Sequence, residues 1–299
     1  MQFINNTFFI TIIAVSSVLS ACGGSSSSDP EPMATLNLSI VDGPVDAADA
    51  VVIAFNELEI KPASGASQVV TLAETATINL LDYQGEVSAP LVRNLSLTPG
   101  NYNWVRLGID AAASYIEIDG AQYPLEIPSA AQSGLKLNRG FTLAAGGVSD
   151  FTLEFDLRKS VHQEGTGDYK LRPTLRMVDN LEVGTAVGTV DRALIEDVAC
   201  TNNGDNNDTG NVVYVYAAAD VTPVDIQGAE TDPITSATVT YDDASNNFVF
   251  TVGFLAAGDY TLAFTCDGLV DDPQAVDELL FGATANVAIT AGAATQVSL

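Results

Sequence analysis

From Met33 onward the chain shows no sustained helical period. Short runs of alternating or β-branched residues recur roughly every 8–15 positions, separated by Gly, Pro, Asn and Asp, which is the spacing of an all-β sandwich or barrel. The runs predict strands over 35–41, 50–60, 77–82, 102–110, 115–118, 122–127, 150–157 and 170–178. Further strands are predicted over 186–195, 212–218, 236–241, 248–252, 260–266, 284–289 and 296–299. Asp119-Gly120 between two runs signals a hairpin turn. Residues 272–280 read as a short helix, capped by Asp272 with Pro273 in its first turn. A faint repeat crosses the chain. Gly100-Asn101-Tyr102 and Gly258-Asp259-Tyr260 each precede a strand, and Gly146 and Gly292 close similar short motifs.

The first 32 residues follow a different pattern. Residues 8–21 are an uncharged apolar run, short for a bilayer span of roughly 20 residues. The run ends in Leu19-Ser20-Ala21-Cys22 and is followed by a Gly/Ser/Pro tether. These four residues resemble the lipobox of bacterial lipoproteins, although no Lys or Arg precedes the apolar run. The resemblance implies cleavage before Cys22 and lipid on its thiol, so that 1–21 is a signal peptide and 22–32 a lipidated flexible tether. Gly23, rather than Asp, after the cysteine implies sorting to the outer membrane.

Charge divides what remains. Ten of the eleven basic residues precede Asp179, while from Asn180 onward 18 acidic residues face Arg192 alone. That shift predicts two domains, 33–180 and 184–299. The formal net charge of −27 repels phosphate backbones and excludes nucleic acid as a partner. His162 is the only histidine, and no Gly-x-Ser-x-Gly elbow or zinc-ligand set accompanies it. It is expected in a loop without a catalytic role, and the chain is not expected to be an enzyme.

Two clusters carry candidate chemistry. Lys136, Arg139, Arg158 and Lys159 stand out in an acidic chain. Strand alternation over 150–157 places Glu154, Asp156 and Arg158 opposite Phe151, Leu153 and Phe155. One reading is an outward ladder of ion pairs. The other is a recess for an anionic or polysaccharide ligand, because a guanidinium matches a carboxylate. The second cluster concerns Cys200 and Cys266. Once Cys22 carries lipid these two remain, and export would favour a disulfide between them. The bridge would bring Asp205 and Asp208 near Asp267 and Asp271. Such loops read first as solvated turns, with a calcium site as the alternative; no other cofactor is expected.

Residues 38–46 (LSIVDGPVD), 123–129 (YPLEIPS), 133–139 (SGLKLNR) and 155–161 (FDLRKSV) resemble the bacterial lipoprotein domain family named domain of unknown function 4382. The resemblance covers most of 33–180 and implies an envelope setting without an assigned activity. The later part is loosely similar to transthyretin-like or immunoglobulin-like sandwiches. The expectation is therefore two tandem β-sandwich domains after a lipoprotein signal peptide. The expected role is non-catalytic binding, structure or adhesion, with the membrane, a glycan or an envelope protein as partner. A glycan- or anion-binding module is the first alternative, and an uncharacterised enzyme the second.

Overall fold

The alternation becomes strand almost throughout. The computed structural model describes residues 32–44, 48–128, 134–200 and 210–299, which lie within one compact unit, Pro32–Leu299. The strands up to residue 179 are β1 (Ala34–Gly43), β2 (Ala50–Pro62), β3 (Gln68–Asn79), β4 (Ala89–Leu97), β5 (Gly100–Ile109), β6 (Tyr115–Ile118), β7 (Ala121–Glu126), β8 (Leu135–Leu137), β9 (Phe141–Leu143), β10 (Val148–Asp156), β11 (Val161–Gln163), β12 (Tyr169–Leu171) and β13 (Leu175–Asp179). After them come β14 (Val183–Val190), β15 (Val212–Ala217), β16 (Thr235–Thr238), β17 (Thr240–Asp242), β18 (Asn247–Ala256), β19 (Gly258–Thr265), β20 (Phe281–Ile289) and β21 (Ala294–Ser298). Among the described residues two single-turn α-helices interrupt them, α1 (Leu157–Ser160) and α2 (Arg192–Ile195). Among the described residues no helix is long and apolar enough to cross a membrane.

Each sheet draws its strands from one side of residue 180. In the first half a sheet ordered β13-β10-β1-β4 faces a larger one ordered β11-β12-β7-β6-β2-β5-β8, with β3 on β2 and β9 on β5. Leu36, Leu38, Ile40 and Leu153 from one sheet and Ile53, Phe55, Leu58 and Leu107 from the other share a single core. In the second half β17-β18-β14-β21 faces β16-β15-β19-β20. Phe248, Phe250 and Val252 there meet Val213, Leu262 and Phe264.

The repeat glimpsed in the sequence is topological. The first strand of each half pairs in parallel with a strand late in the same half, β1 with β10 and β14 with β21. Each first strand also pairs antiparallel with the strand before the Gly-x-Tyr motif, β4 or β18. Gly100 lies opposite Leu143 and Tyr102 opposite Phe141; Gly258 lies opposite Ile289 and Tyr260 opposite Val287. The Tyr102 hydroxyl donates to the Thr98 carbonyl at 2.6 Å, and the Tyr260 hydroxyl donates to the Ala256 carbonyl at 2.7 Å. Gly100 and Gly258 have φ of 140° and 159°, so a side chain is tolerated poorly at the first of these corners.

Four expected elements differ, each for a local reason. Pro173 lacks an N–H and divides 170–178 into β12 and β13. Residues 80–82 leave β3 as a 3-10 turn. The strand expected over 186–195 stops at Val190, because the Asp191 side chain accepts from the Ala193 N–H and starts α2. No helix forms over 272–280, where carboxylates take the N–H groups a helix would need. Gln274 donates to Asp272 at 3.0 Å, Asp272 to Asp277 at 2.6 Å and Leu280 to Asp267 at 2.8 Å.

Candidate functional site

The alternation of β1 holds from Ala34 to Ile40 and then stops, with Ile40 to Gly43 all buried. In β10 every residue from Phe151 to Asp156 is buried. Continuous burial on a strand means cover on both faces. Here the second cover is the other half of the molecule, and the charged residues lie between.

Asp156 ends β10 by capping α1, its carboxylate accepting from the Lys159 N–H at 3.2 Å. That turn throws Arg158 and Lys159 off the strand and across to the second half. Arg158 donates to the Gly268 carbonyl at 2.7 Å, and its guanidinium lies 5.9 Å from the centre of the Tyr214 ring. Lys159 donates to the Pro233 carbonyl and pairs with Asp156 at 3.4 Å. Arg176 pairs with Glu154 and donates to the Phe254 carbonyl at 3.1 Å. The Thr185 hydroxyl returns the contact by donating to Glu86 at 2.7 Å.

The outward ladder expected from alternation is therefore corrected. Glu154, Asp156 and Arg158 are each about 4% exposed, because the second half covers the face that a single sheet would leave in water. The four candidate ligand cations do not converge. Lys136 sits in β8 with its ammonium 4.7 Å from the ring centre of Trp104, and Arg139 donates to the Met177 carbonyl. Trp104, the lone tryptophan, also has the Arg106 guanidinium at 4.8 Å, and Arg106 pairs with Glu59 at 2.6 Å. Lys136 is exposed and Trp104 half-buried, so this aromatic–cation group is open to solvent.

Three carboxylates crowd the covered end of the first sheet. Asp42 and Gly43 lie in register with Phe155 and Asp156, and Val41 with Glu154. Burial first, then the neighbouring Asp156, raises the Asp42 carboxyl well above its ordinary range. Burial also lifts Asp156 to about 6, against the pull of Lys159. Beside Asp42 lies a cavity of about 220 Å³, whose far wall is Thr235, Ser236, Thr238 and Thr240.

A second acidic group lies in the second half. Asp225, Asp271 and Asp277 each offer an oxygen within 4.8 Å of the others. Asp271 accepts from the Tyr214 hydroxyl and from the Ile226 N–H at 3.3 Å. Burial raises its carboxyl to about 6, and Asp277 donates its N–H to Asp225. Of the four residues expected to hold calcium, Asp271 joins this group. Asp267 instead accepts from Leu280, and Asp205 and Asp208 lie outside the described residues. Sequence reasoning missed Asp225 and Asp277, which no spacing relative to Asp271 could have flagged. Asp42 was visible only as a polar residue ending an apolar strand.

The Cys200–Cys266 disulfide is present, with Cα atoms 5.3 Å apart. Cys200 follows turns after α2. His162 lies in β11, not in a loop, and is about 9% exposed. Burial lowers its pKa, with Arg172 adding to the effect. Cys22 lies outside the described residues.

No curated protein matches this sequence. Several solved structures share a loose likeness. The Bacillus anthracis TIE protein is 13% identical at a TM-score of 0.19; the match covers 90% of this chain, which spans only 34% of that one. The minor pilin GBS52 of Streptococcus agalactiae is 13% identical at 0.19, covering 88% of this chain and 94% of the pilin. A fimbrial protein from Bacteroides ovatus is 6% identical at 0.20, covering 91% and 49%. The family comparison is a match that spans both sheets of the first half: residues 33–173 match the model of the family described as domain of unknown function (DUF4382).

Proposed function

We propose that this chain is a lipid-anchored cell-envelope protein with a non-catalytic structural or adhesive role. Its two tandem β-sandwich domains, 33–180 and 184–299, are carried as one block on the 22–32 tether. One observation supports the structural reading most. Arg158 and Lys159, two of the four cations a ligand recess would use, donate instead to the Gly268 and Pro233 carbonyls across the two halves, and Arg176 near them donates to the Phe254 carbonyl. Charge-assisted bonds to carbonyls fix orientation and use donors that an anion would otherwise take. The lipobox at Cys22 supplies the anchor, and Gly23 directs it to the outer membrane.

The test is metabolic labelling of the full chain with a fatty-acid analogue, followed by fractionation and a cell-attachment assay. Wild type should label, sediment with membranes and support attachment; Cys22→Ser should do none of these. Equal labelling and sedimentation of Cys22→Ser would refute the anchor, and attachment unaffected by deleting the chain would refute the adhesive role. A second reading, a glycan or anionic-ligand module, is favoured by the open group of Trp104, Lys136 and Arg106. A sugar ring on the indole with a carboxylate on the ammonium would use both features. Binding to acidic glycans that is lost in Trp104→Ala would favour it over the structural role.

A further inference from the structure

The covered end of the first sheet does not balance its charges. Asp42, Glu154 and Asp156 are all buried there. Arg176 answers Glu154 and Lys159 answers Asp156. Asp42 has no cation of its own. Neither of its carboxylate oxygens makes a hydrogen bond, although it is about 4% exposed. The Leu157 N–H and the Gln84 side chain come near enough to ease its charge without closing a bond. Buried carboxylates are normally paired or bound to a metal, since an uncompensated buried charge costs several kcal/mol.

What lies beside Asp42 suits a cation. The 220 Å³ cavity is lined by Asp42, Gln84 and Glu154 from the first half and by Thr235, Ser236 and Thr238 from the second. Ser236 is buried and its hydroxyl also lacks a partner. The polar side chains offered are oxygen-bearing, with neither His nor Cys among them, which selects a hard ion over a soft one. The volume admits an ion with several waters at about 30 Å³ each. A chain of net charge −27 also concentrates cations at its surface.

We propose that this cavity binds a hard divalent cation of the calcium type. Asp42 is its carboxylate ligand, and the Ser236 hydroxyl, neighbouring threonine oxygens and water complete the shell. The six to eight oxygens that calcium accepts in flexible geometry fit a wall of hydroxyls better than the strict octahedron of magnesium. The ion would neutralise Asp42 and join the two halves through ligands from both. The acidic group at Asp225, Asp271 and Asp277 is a separate place, and its carboxylates are already occupied by N–H and hydroxyl donors.

The experiment is thermal unfolding and calorimetric titration of the full chain at pH 7.5 with calcium, magnesium or sodium chloride at matched ionic strength. Millimolar calcium should raise the melting temperature by roughly 3 °C or more, with magnesium weaker and sodium without effect. Asp42→Asn should abolish the calcium shift while melting no lower than ion-free wild type, because it removes an unpaired buried charge. Ser236→Ala should bind calcium at least about tenfold more weakly. Asp225→Asn with Asp277→Asn should leave the shift intact. An unshifted wild type, a shift that survives Asp42→Asn, or a shift lost only in the Asp225/Asp277 variant would overturn the proposal.

Discussion

Arg158 gives the sharpest test of how the two halves are joined. As one partner of an exposed ladder, its replacement by Ala would cost no more than about 1 kcal/mol. The structure places it elsewhere. It is buried, donates to the Gly268 carbonyl at 2.7 Å, lies against Tyr214 and helps hold the Asp271 carboxyl down against burial. A hydrogen bond from a charged donor is worth roughly 1.5–3 kcal/mol. Removing it also leaves Gly268 unsatisfied and Asp271 without the charge that holds its carboxyl down, the situation in which breaking a buried pair costs roughly 3–5 kcal/mol. Arg158→Ala is therefore expected to lose about 3–5 kcal/mol in urea unfolding followed by Trp104 fluorescence. Lys136→Ala, whose ammonium rests on an open ring, should lose about 1 kcal/mol or less. Adding Asp271→Asn to Arg158→Ala should recover part of the loss, since it removes the stranded carboxylate. A loss below about 1 kcal/mol for Arg158→Ala, or strict additivity of the two substitutions, would refute the account.

Further outcomes follow from other parts of the molecule. Replacing Cys200 and Cys266 together by Ala opens a loop of 66 residues and should cost about 4 kcal/mol on the chain-entropy account, read from denaturant midpoints without reductant. Asp156 rises from 3.8 to about 6 on folding and Asp271 does likewise. The native state therefore holds more protons between about pH 4 and 6, and the contribution of these groups falls as pH rises through that window. For Asp156 the effect is roughly 3 kcal/mol at 1.36 kcal/mol per unit; Asp156→Asn should flatten the melting temperature between pH 4 and 7, and an unchanged slope would exclude it as the cause. A methyl group added at Gly253 would overlap the Gly85 carbonyl of the first half. Gly253→Ala should destabilise by about 1–3 kcal/mol, read by thermal unfolding, and a neutral result would mean the two backbones separate easily there.

Much of the architecture was legible because strand alternation is a local signal. Leu36, Leu38 and Ile40 face a core, and the Gly-x-Tyr corners announced a repeated topology. The covered face was not legible. Glu154, Asp156 and Arg158 alternate as solvent-facing residues should, and only cover from the other half makes them interior, with Thr235, Ser236 and Phe254 near Glu154 and with Gly268 and Tyr214 against Arg158. Local pattern also failed where aspartates compete for backbone N–H groups. Asp272 and Asp277 turn a helix-like stretch into a loop, and Asp156 turns the end of a strand into α1. The disulfide was readable by elimination, since cysteine pairing depends on count and compartment more than on local conformation. The grouping of Asp271 with Asp225 and Asp277 depends on tertiary contacts across about fifty residues of chain, which no local pattern encodes.

The parallel pairing of β1 with β10 and of β14 with β21 sets the order in which each half can be completed during synthesis. Asn37 of β1 meets Asp150 of β10 across 113 residues, and Thr189 of β14 meets Ser298 of β21 across 109. Neither pair can begin until most of its half exists, and loop closure at that range makes such contacts slow to form. Translation proceeds from the N-terminus, so β1 gains β10 while β21 is still unmade. In that interval β14 is an unprotected sheet edge over Thr185–Thr189, the stretch later covered by β21. A chain that ends before Ala294 keeps that edge permanently, and edge-to-edge pairing between copies is the outcome an exposed strand of this kind invites.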